Sequence, residues 1–369
     1  MELSPEDALR LNVLLANKPD AIRIHESAMV LSALTDKGEM QVQLNPDCND
    51  DRYLKRVREM LSGHVLGSPG GYPVYLQRWT RMGQMREDNL DQLLLLGEPE
   101  AVVAVSCAAG LTNELARRAW WAMDDADNAR RMLANEAVRA GDMGPVLADY
   151  LVEHLPFESE PDVQMTTVAF VLQPGLISTE ARQELWKKAH RKNSYLVGFL
   201  ESCPDDLPGQ NDASDLYRRF VEHFGMDDDP VITQLRRLLS PQGQAFLHTA
   251  EAVLAKPSTQ EIVTRSIDII ARYFAPLRPQ GVEDQSLDQL EKQLSGYIEQ
   301  HGVVVDRLKS FDARAAGWLI SMRLLSGLGY GVLRPMLRDS TAIGSLMRRK
   351  LEPVLTPVIG HLKQLRVES

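Results

Sequence analysis

The sequence predicts a mostly α-helical protein: a HEAT-like array of helix pairs, with a small N-terminal α+β part containing a β-hairpin before it and a helical C-terminal domain after it. Three observations predict this. From about Glu87 onward, apolar residues recur at i, i+3 and i+4, the period that lines one face of a helix. Strict alternation of apolar and polar residues, the period of a half-buried strand, is confined to Met40–Leu44. Helix pairs begin near residues 99, 126 and 162, close to the spacing of two-helix solenoid repeats, which bury both faces only by stacking.

At the N-terminus, Ser4-Pro5-Glu6-Asp7 is helix-opening chemistry: Ser caps, Pro takes the first turn, and acids face the positive end. Leu9, Val13 and Leu14 supply an apolar face. Ala28–Leu34 and Met40–Leu44 then read as two strands, joined through Thr35-Asp36-Lys37-Gly38-Glu39, where Gly38 is free to take positive φ. Asp51–Leu61 reads as a helix closed by Gly63. Residues 64–84, HVLGSPGGYPVYLQRWTRMGQ, form a shaped loop, because Pro69, Pro73 and the glycines oppose helix. Beyond residue 87, Val146, Leu147, Tyr150, Leu151, His154 and Leu155 are the clearest helical face. Cys203–Asp212, with two prolines and a glycine, is the best linker. The expected domains are therefore 1–86, 87–204 and 205–369. In the last of these, Ser258-Thr259-Gln260-Glu261 and Ser286-Leu287-Asp288-Gln289 are capping-box signatures, and Pro335, Pro353 and Pro357 punctuate the pattern.

Composition bounds the function classes. With 44% hydrophobic and 25% charged residues, the chain is of ordinary globular composition, and 369 residues suit two or three domains. Three dispersed cysteines, Cys48, Cys107 and Cys203, argue against a disulfide framework and fit a reducing compartment. Cys107, inside the apolar run Ala101–Ala109, is expected to be buried and inert. The acidic start lacks a signal core, so a cytoplasmic location is expected. Leu93–Leu111 is cut by Glu98-Pro99-Glu100. Ala315–Leu333 carries Arg323 as its only charge, at a cost of at least ~2.5 kcal/mol in mid-bilayer. That segment is expected to be a buried core helix followed by a glycine-rich turn, and a membrane partner is disfavoured. Charge is uneven: the chain carries −10 overall, yet the region from Arg307 onward holds eleven basic against four acidic residues. A basic end on an acidic body favours an anionic partner or self-association, although a solvated helix face explains it as well.

Familiar chemistry is missing from the sequence. There is no Gly-Lys-Ser/Thr for a P-loop and no HExxH, and no histidine lies three residues after a glutamate. Gly67-Ser68-Pro69-Gly70 lacks the spacing of a nucleophile elbow. Gly327-Leu328-Gly329-Tyr330-Gly331 has Val332 where a dinucleotide fingerprint needs glycine. No catalytic, cofactor-binding or metal-ligating set is expected, and no cofactor is implied. His154, on an apolar face, reads as a hydrogen-bonded core histidine. Trp120 and Trp121 are adjacent, so only one can point into a helix interface.

One constellation remains. From Arg52 to Arg86 there are seven basic residues against the single acid Glu59, interleaved with Tyr53, Tyr72, Tyr75 and Trp79. Cations neutralise phosphates and aromatic faces stack bases, so Arg52, Arg56, Tyr72, Tyr75, Arg78, Trp79 and Arg81 are the candidate residues for an anionic partner or single-stranded RNA. Arginines packed over aromatics as plain structure explain the same letters.

The segment 64–84, with YLKRVREML at 53–61 before it, resembles the DsrS family of sulfur reduction proteins, products of the dissimilatory sulfite reductase gene cluster of sulfur-oxidising bacteria. The overall layout is also similar, although only the loop segment is distinctive. The resemblance implies a cytoplasmic accessory of the pathway that oxidises stored sulfur through reverse sulfite reductase, with a proposed regulatory role. It brings no defined reaction, cofactor or catalytic residue. The expected function is a non-enzymatic accessory or regulatory protein that binds a protein partner. Its alternatives are an RNA-binding post-transcriptional regulator and an enzyme with an unfamiliar site near Gly67–Arg81.

Overall fold

A computed structural model describes residues 3–67, 90–209, 212–278, 284–337 and 342–367. It is mostly helical, with twenty α-helices among the described residues and a small three-stranded antiparallel sheet near the N-terminus. The contacts divide into two compact units, Met1–Pro156 with Gly175–Ile177 and Phe157–Pro174 with Ser178–Ser369. The stretch 87–204 contributes to both.

In the first unit, α1 (Pro5–Ala16) starts as its caps require, with the Ser4 hydroxyl accepting from the Asp7 amide at 3.2 Å. Its buried face is Asp7, Leu11, Leu14 and Leu15, spaced i, i+4, i+7 and i+8. Leu9 and Val13, expected on that face, are instead 65% and 55% exposed. The carboxylate of Asp7 holds the place where an apolar residue was sought.

The sheet has the order β1–β2–β3, formed by Ala21–His25, Val30–Thr35 and Gly38–Gln43. The predicted hairpin is β2–β3, closed at Thr35↔Gly38 around Asp36 and Lys37, with Gly38 at φ +111°. The Thr35 hydroxyl donates to the Gly38 carbonyl at 2.7 Å. Strand β1 was not foreseen. Its outer edge is covered, since the Ile22 amide donates to the Leu94 carbonyl at 2.8 Å. Helix α2 (Asp50–Leu66) is capped by Asn49 and ends at Gly67, in the left-handed region at φ +67°. It therefore runs past Gly63, where it was expected to stop, and His64–Leu66 are helical rather than loop. Leu11, Leu14, Ile22, Leu31, Leu44, Tyr53, Val57 and Leu61 form the core shared by α1, the sheet and α2.

The rest of this unit is a run of short helices: α3 (Leu90–Leu93), α4 (Pro99–Ser106), α5 (Asn113–Ala122), α6 (Ala126–Leu133), α7 (Glu136–Arg139) and α8 (Met143–His154). Thr112, Asp125 and Asn135 cap α5, α6 and α7 through their side chains. Helix α8 buries Leu147 and Leu151 as its period predicts, while Val146 lies exposed. Half-buried His154 holds the Tyr150 carbonyl through Nδ1 at 3.0 Å and stacks on the Tyr150 ring. Cys107, expected to be buried, is exposed. It falls just past the end of α4, where the helical face no longer decides which way a side chain points.

The second unit has helices and no strand among its described residues. It contains α9 (Pro161–Val171), α10 (Thr179–Ala189), α11 (Asn193–Ser202), α12 (Asp215–Phe224), α13 (Pro230–Leu239), α14 (Pro241–Ala255), α15 (Gln260–Tyr273), α16 (Leu287–Gln300), α17 (Gly302–Phe311), α18 (Ala315–Ser326), α19 (Tyr330–Leu337) and α20 (Gly344–Gln364). Helices α9 and α11 touch most closely: a Cβ at Gly198 would lie 2.5 Å from Val168 Cβ, so only glycine allows the approach. The turn after α11 is anchored, with Asp205 paired to Arg237 at 2.6 Å and Leu207 buried.

Helix α16 begins with the predicted capping box at Ser286, both halves formed. The one predicted at α15 does not form. Thr259 is its N-cap, but the hydroxyl makes no capping bond and is buried without a partner. Helix α18 is the expected buried helix, followed by the turn at Gly327–Gly329. Helix α20 continues through Pro353 and Pro357 rather than breaking at them. Among the described residues no helix is long and apolar enough to cross a membrane.

Candidate functional site

The basic and aromatic stretch is described only over its first part. On α2, Tyr53, Leu54, Val57 and Leu61 face the core, which turns Arg52 and Lys55 outward to solvent. Tyr53 presents no stacking face. It is fully buried, and its hydroxyl donates to Asp7 at 2.5 Å. Arg56 pairs with Asp47 at 3.0 Å, and Arg58 pairs with Glu26. Arg52 and Lys55, three residues apart on one helix face, are thus the α2 cations without an ion pair among the described residues. Tyr72, Tyr75, Arg78, Trp79 and Arg81 lie outside the described residues, as does nearly all of the segment Gly67–Arg81.

A different arrangement, in the second unit, is complete. A groove of about 650 Å³ opens between the start of α13, the turn Ala275–Arg278 and helix α16. This lies within the range of small-molecule sites. Arg323, from α18, forms part of its lining and is only 2% exposed. Its Nη2 donates to Gln293 Oε1 at a long 3.4 Å, its Nε has no acceptor, and its guanidinium lies 5.3 Å from the centre of the Tyr297 ring. No carboxylate pairs with it among the described residues. Burial, together with the like charge of Arg278, pushes this guanidinium below its ordinary range.

Arg278 and Lys292 line the same groove. Arg278 is held by the Ser326 and Leu328 carbonyls, at 2.6 and 2.7 Å. Those neutral acceptors fix its position, and no ion pair to a carboxylate is formed among the described residues, although its charge acts on Asp268. His301 holds the Tyr297 carbonyl through Nδ1 at 2.9 Å. A carbonyl only accepts, so the proton sits on Nδ1 and Nε2 is the free position. The one lining carboxylate, Asp229, is engaged as the cap of α13, accepting from the Val231 and Ile232 amides.

Other clusters are internally satisfied. A second groove, of about 550 Å³, carries Asp162, Glu201, Asp268, Arg265 and Arg272, but Arg265 bridges Glu201 at 2.7 Å and Asp162 at 3.1 Å. Buried Ser321 donates to Gln364 Oε1 at 2.7 Å and meets His361 Nδ1 at 3.0 Å. Its proton therefore points away from the histidine, and a hydroxyl so placed is no activated nucleophile. Burial raises the Cys203 thiol against the opposing effect of Arg182, which is the wrong direction for a reactive thiolate. Among the described residues no group of three or more His, Cys, Asp or Glu side chains is placed to hold a metal ion.

The groove was not foreseen as a site, although one signal was visible: Arg323 is the lone charge in an otherwise apolar helix. Arg278, Lys292 and Arg323 are too far apart in sequence for spacing to join them, and the packing of α16 against α18 does so. Comparison with family models gives no match, and neither do searches of curated proteins and of solved structures.

Proposed function

We propose that this chain is a non-enzymatic cytoplasmic accessory and regulatory protein of the pathway that oxidises stored sulfur through reverse dissimilatory sulfite reductase, acting by binding a protein partner. The resemblance of residues 53–61 and 64–84 to the DsrS family supports the pathway. The observation that carries the binding role is the geometry of α2. A helix fixed in the core by four side chains presents Arg52 and Lys55 to solvent, immediately before the distinctive segment. Rigid presentation lowers the ordering cost of association. The second reading, an RNA-binding regulator, draws on the same two cations. The burial of Tyr53 and the pairing of Arg56 and Arg58 weigh against α2 acting as a stacking platform.

Capture from native extract of a sulfur-oxidising bacterium, comparing the wild type with Arg52→Glu/Lys55→Glu, tests the proposal. A pathway protein retained by the wild type and lost from the variant supports it. Loss of that protein after nuclease treatment moves the role to RNA. Capture of the same proteins by both forms refutes a binding role for this face.

A further inference from the structure

We propose that the groove lined by Arg323, Arg278 and Lys292 is a binding site for a small oxyanion-bearing molecule, with the buried Arg323 guanidinium as its fixed anchor.

The first argument is energetic. A guanidinium taken out of water loses several kcal/mol of solvation, and a buried carboxylate is the usual compensation. Arg323 has none among the described residues. Its acceptors amount to one amide oxygen at 3.4 Å and the face of Tyr297, and Nε has no partner. An apolar side chain of similar volume would fill the same space at lower cost. A charge retained under these conditions is accounted for by an anion that binds beside it.

The second argument is electrostatic. Three cations line one concave surface, and the single acid there already caps a helix. Low-dielectric walls focus such a field and raise the local concentration of anions. The third is shape. Leu277, Val231 and Pro276 line the groove beside the charged groups, so the ligand has room for an apolar portion as well as its acidic head. Gln293, exposed on α16, donates nothing to Arg323 and only accepts from it. Displacement of that amide oxygen by a stronger acceptor is the expected route of entry. Carboxylate, phosphate and sulfate share the chemistry that a guanidinium recognises by paired N–H donors.

The test uses the full chain at low ionic strength, titrated calorimetrically with inorganic phosphate, sulfate and succinate in separate arms. Saturable binding in at least one arm is expected, and the responding arm identifies the head group. Arg323→Met, which keeps the volume and removes the charge, is expected to weaken that binding by about tenfold or more while the melting temperature holds or rises. Should Arg323→Met fail to fold, Lys292→Gln, an exposed position, serves in its place, with an expected loss of about threefold. Absence of saturation in all three arms overturns the proposal, and so does unchanged affinity in Arg323→Met or, in its stead, in Lys292→Gln.

Discussion

Replacing Tyr53 by phenylalanine isolates one hydrogen bond at the centre of the first unit. The hydroxyl donates to Asp7 at 2.5 Å, and both side chains are fully buried. Asp7 also accepts from the Asn45 backbone amide at 3.2 Å and its side-chain amide at 3.1 Å, while Arg10 stands off at 3.9 Å. A bond to a charged group contributes about 1.5–3 kcal/mol, and no water can replace the lost hydroxyl here, so the upper part of that range, about 2–3 kcal/mol, is expected. Removing the carboxylate itself, Asp7→Ala, strands three donors and should cost about 3–5 kcal/mol. The double variant should then fall short of additivity by about 1.5–3 kcal/mol.

Urea unfolding followed by tryptophan fluorescence is the assay, because Trp121 packs against Arg23 of β1 and donates to Glu39 of β3. The pH dependence gives a second arm. Burial acts to raise the Asp7 carboxyl, but the bonds from Tyr53 and Asn45 outweigh it and hold the group below its ordinary 3.8. A depressed folded value contributes stability that is complete above the unfolded value and is lost as pH falls through the folded one. The gap between wild type and Tyr53→Phe should therefore narrow below about pH 3.8. A cost under about 0.5 kcal/mol at neutral pH, or a gap that does not narrow in acid, would refute the reasoning.

In the second unit, Gly198→Ala drives a Cβ to 2.5 Å from Val168 Cβ and 3.0 Å from the Met165 carbonyl. Overpacking outweighs the gain in helix propensity, for an expected net loss of about 1–2 kcal/mol, measurable by thermal unfolding. Burial lowers the His361 imidazole below its ordinary 6.5 against the opposing effect of Glu291, so the unfolded chain takes up that proton first. Stability should accordingly decline as pH falls below 6.5, and His361→Gln should flatten the decline in a pH series of melting temperatures. Thiol labelling of the native protein should modify Cys107 fastest and Cys203 slowest, as their exposure and the raised Cys203 thiol require. Peptide mapping checks the order.

The helical class and the hairpin were readable because each depends on a local period, and periods are written in the sequence. The misreadings share one cause: local chemistry states what a residue can do, while packing decides whether it does so. Leu9 and Val13 are apolar enough for a core face, yet the sheet meets α1 along Asp7, Leu11 and Leu14. Ile22 and Ile24 alternate with Arg23 and His25, so the period of β1 is present, but five residues with two alternating isoleucines are too few to stand out. Gly63 reads as a stop signal in the sequence, whereas the left-handed turn that ends α2 falls at Gly67. Ser258 and Ser286 open the same capping pattern, and only Ser286 closes the box; the N-cap of α15 falls one residue later, at Thr259. In the candidate site, the sequence shows Arg323 only as an obstacle to membrane insertion. That the same charge would lie beside Arg278 and Lys292 follows from how α18 packs against α16, which no spacing reports.

The two prolines within α20 have a consequence for how the second unit breathes. Each interior proline deletes one rung of the ladder, leaving the carbonyl four residues earlier without its amide. With Pro353 and Pro357 one turn apart, the middle of a 21-residue helix is stitched more loosely than either end. Deuterium should enter the amides around that weak seam ahead of those on α14 and α18, the helices against which it rests.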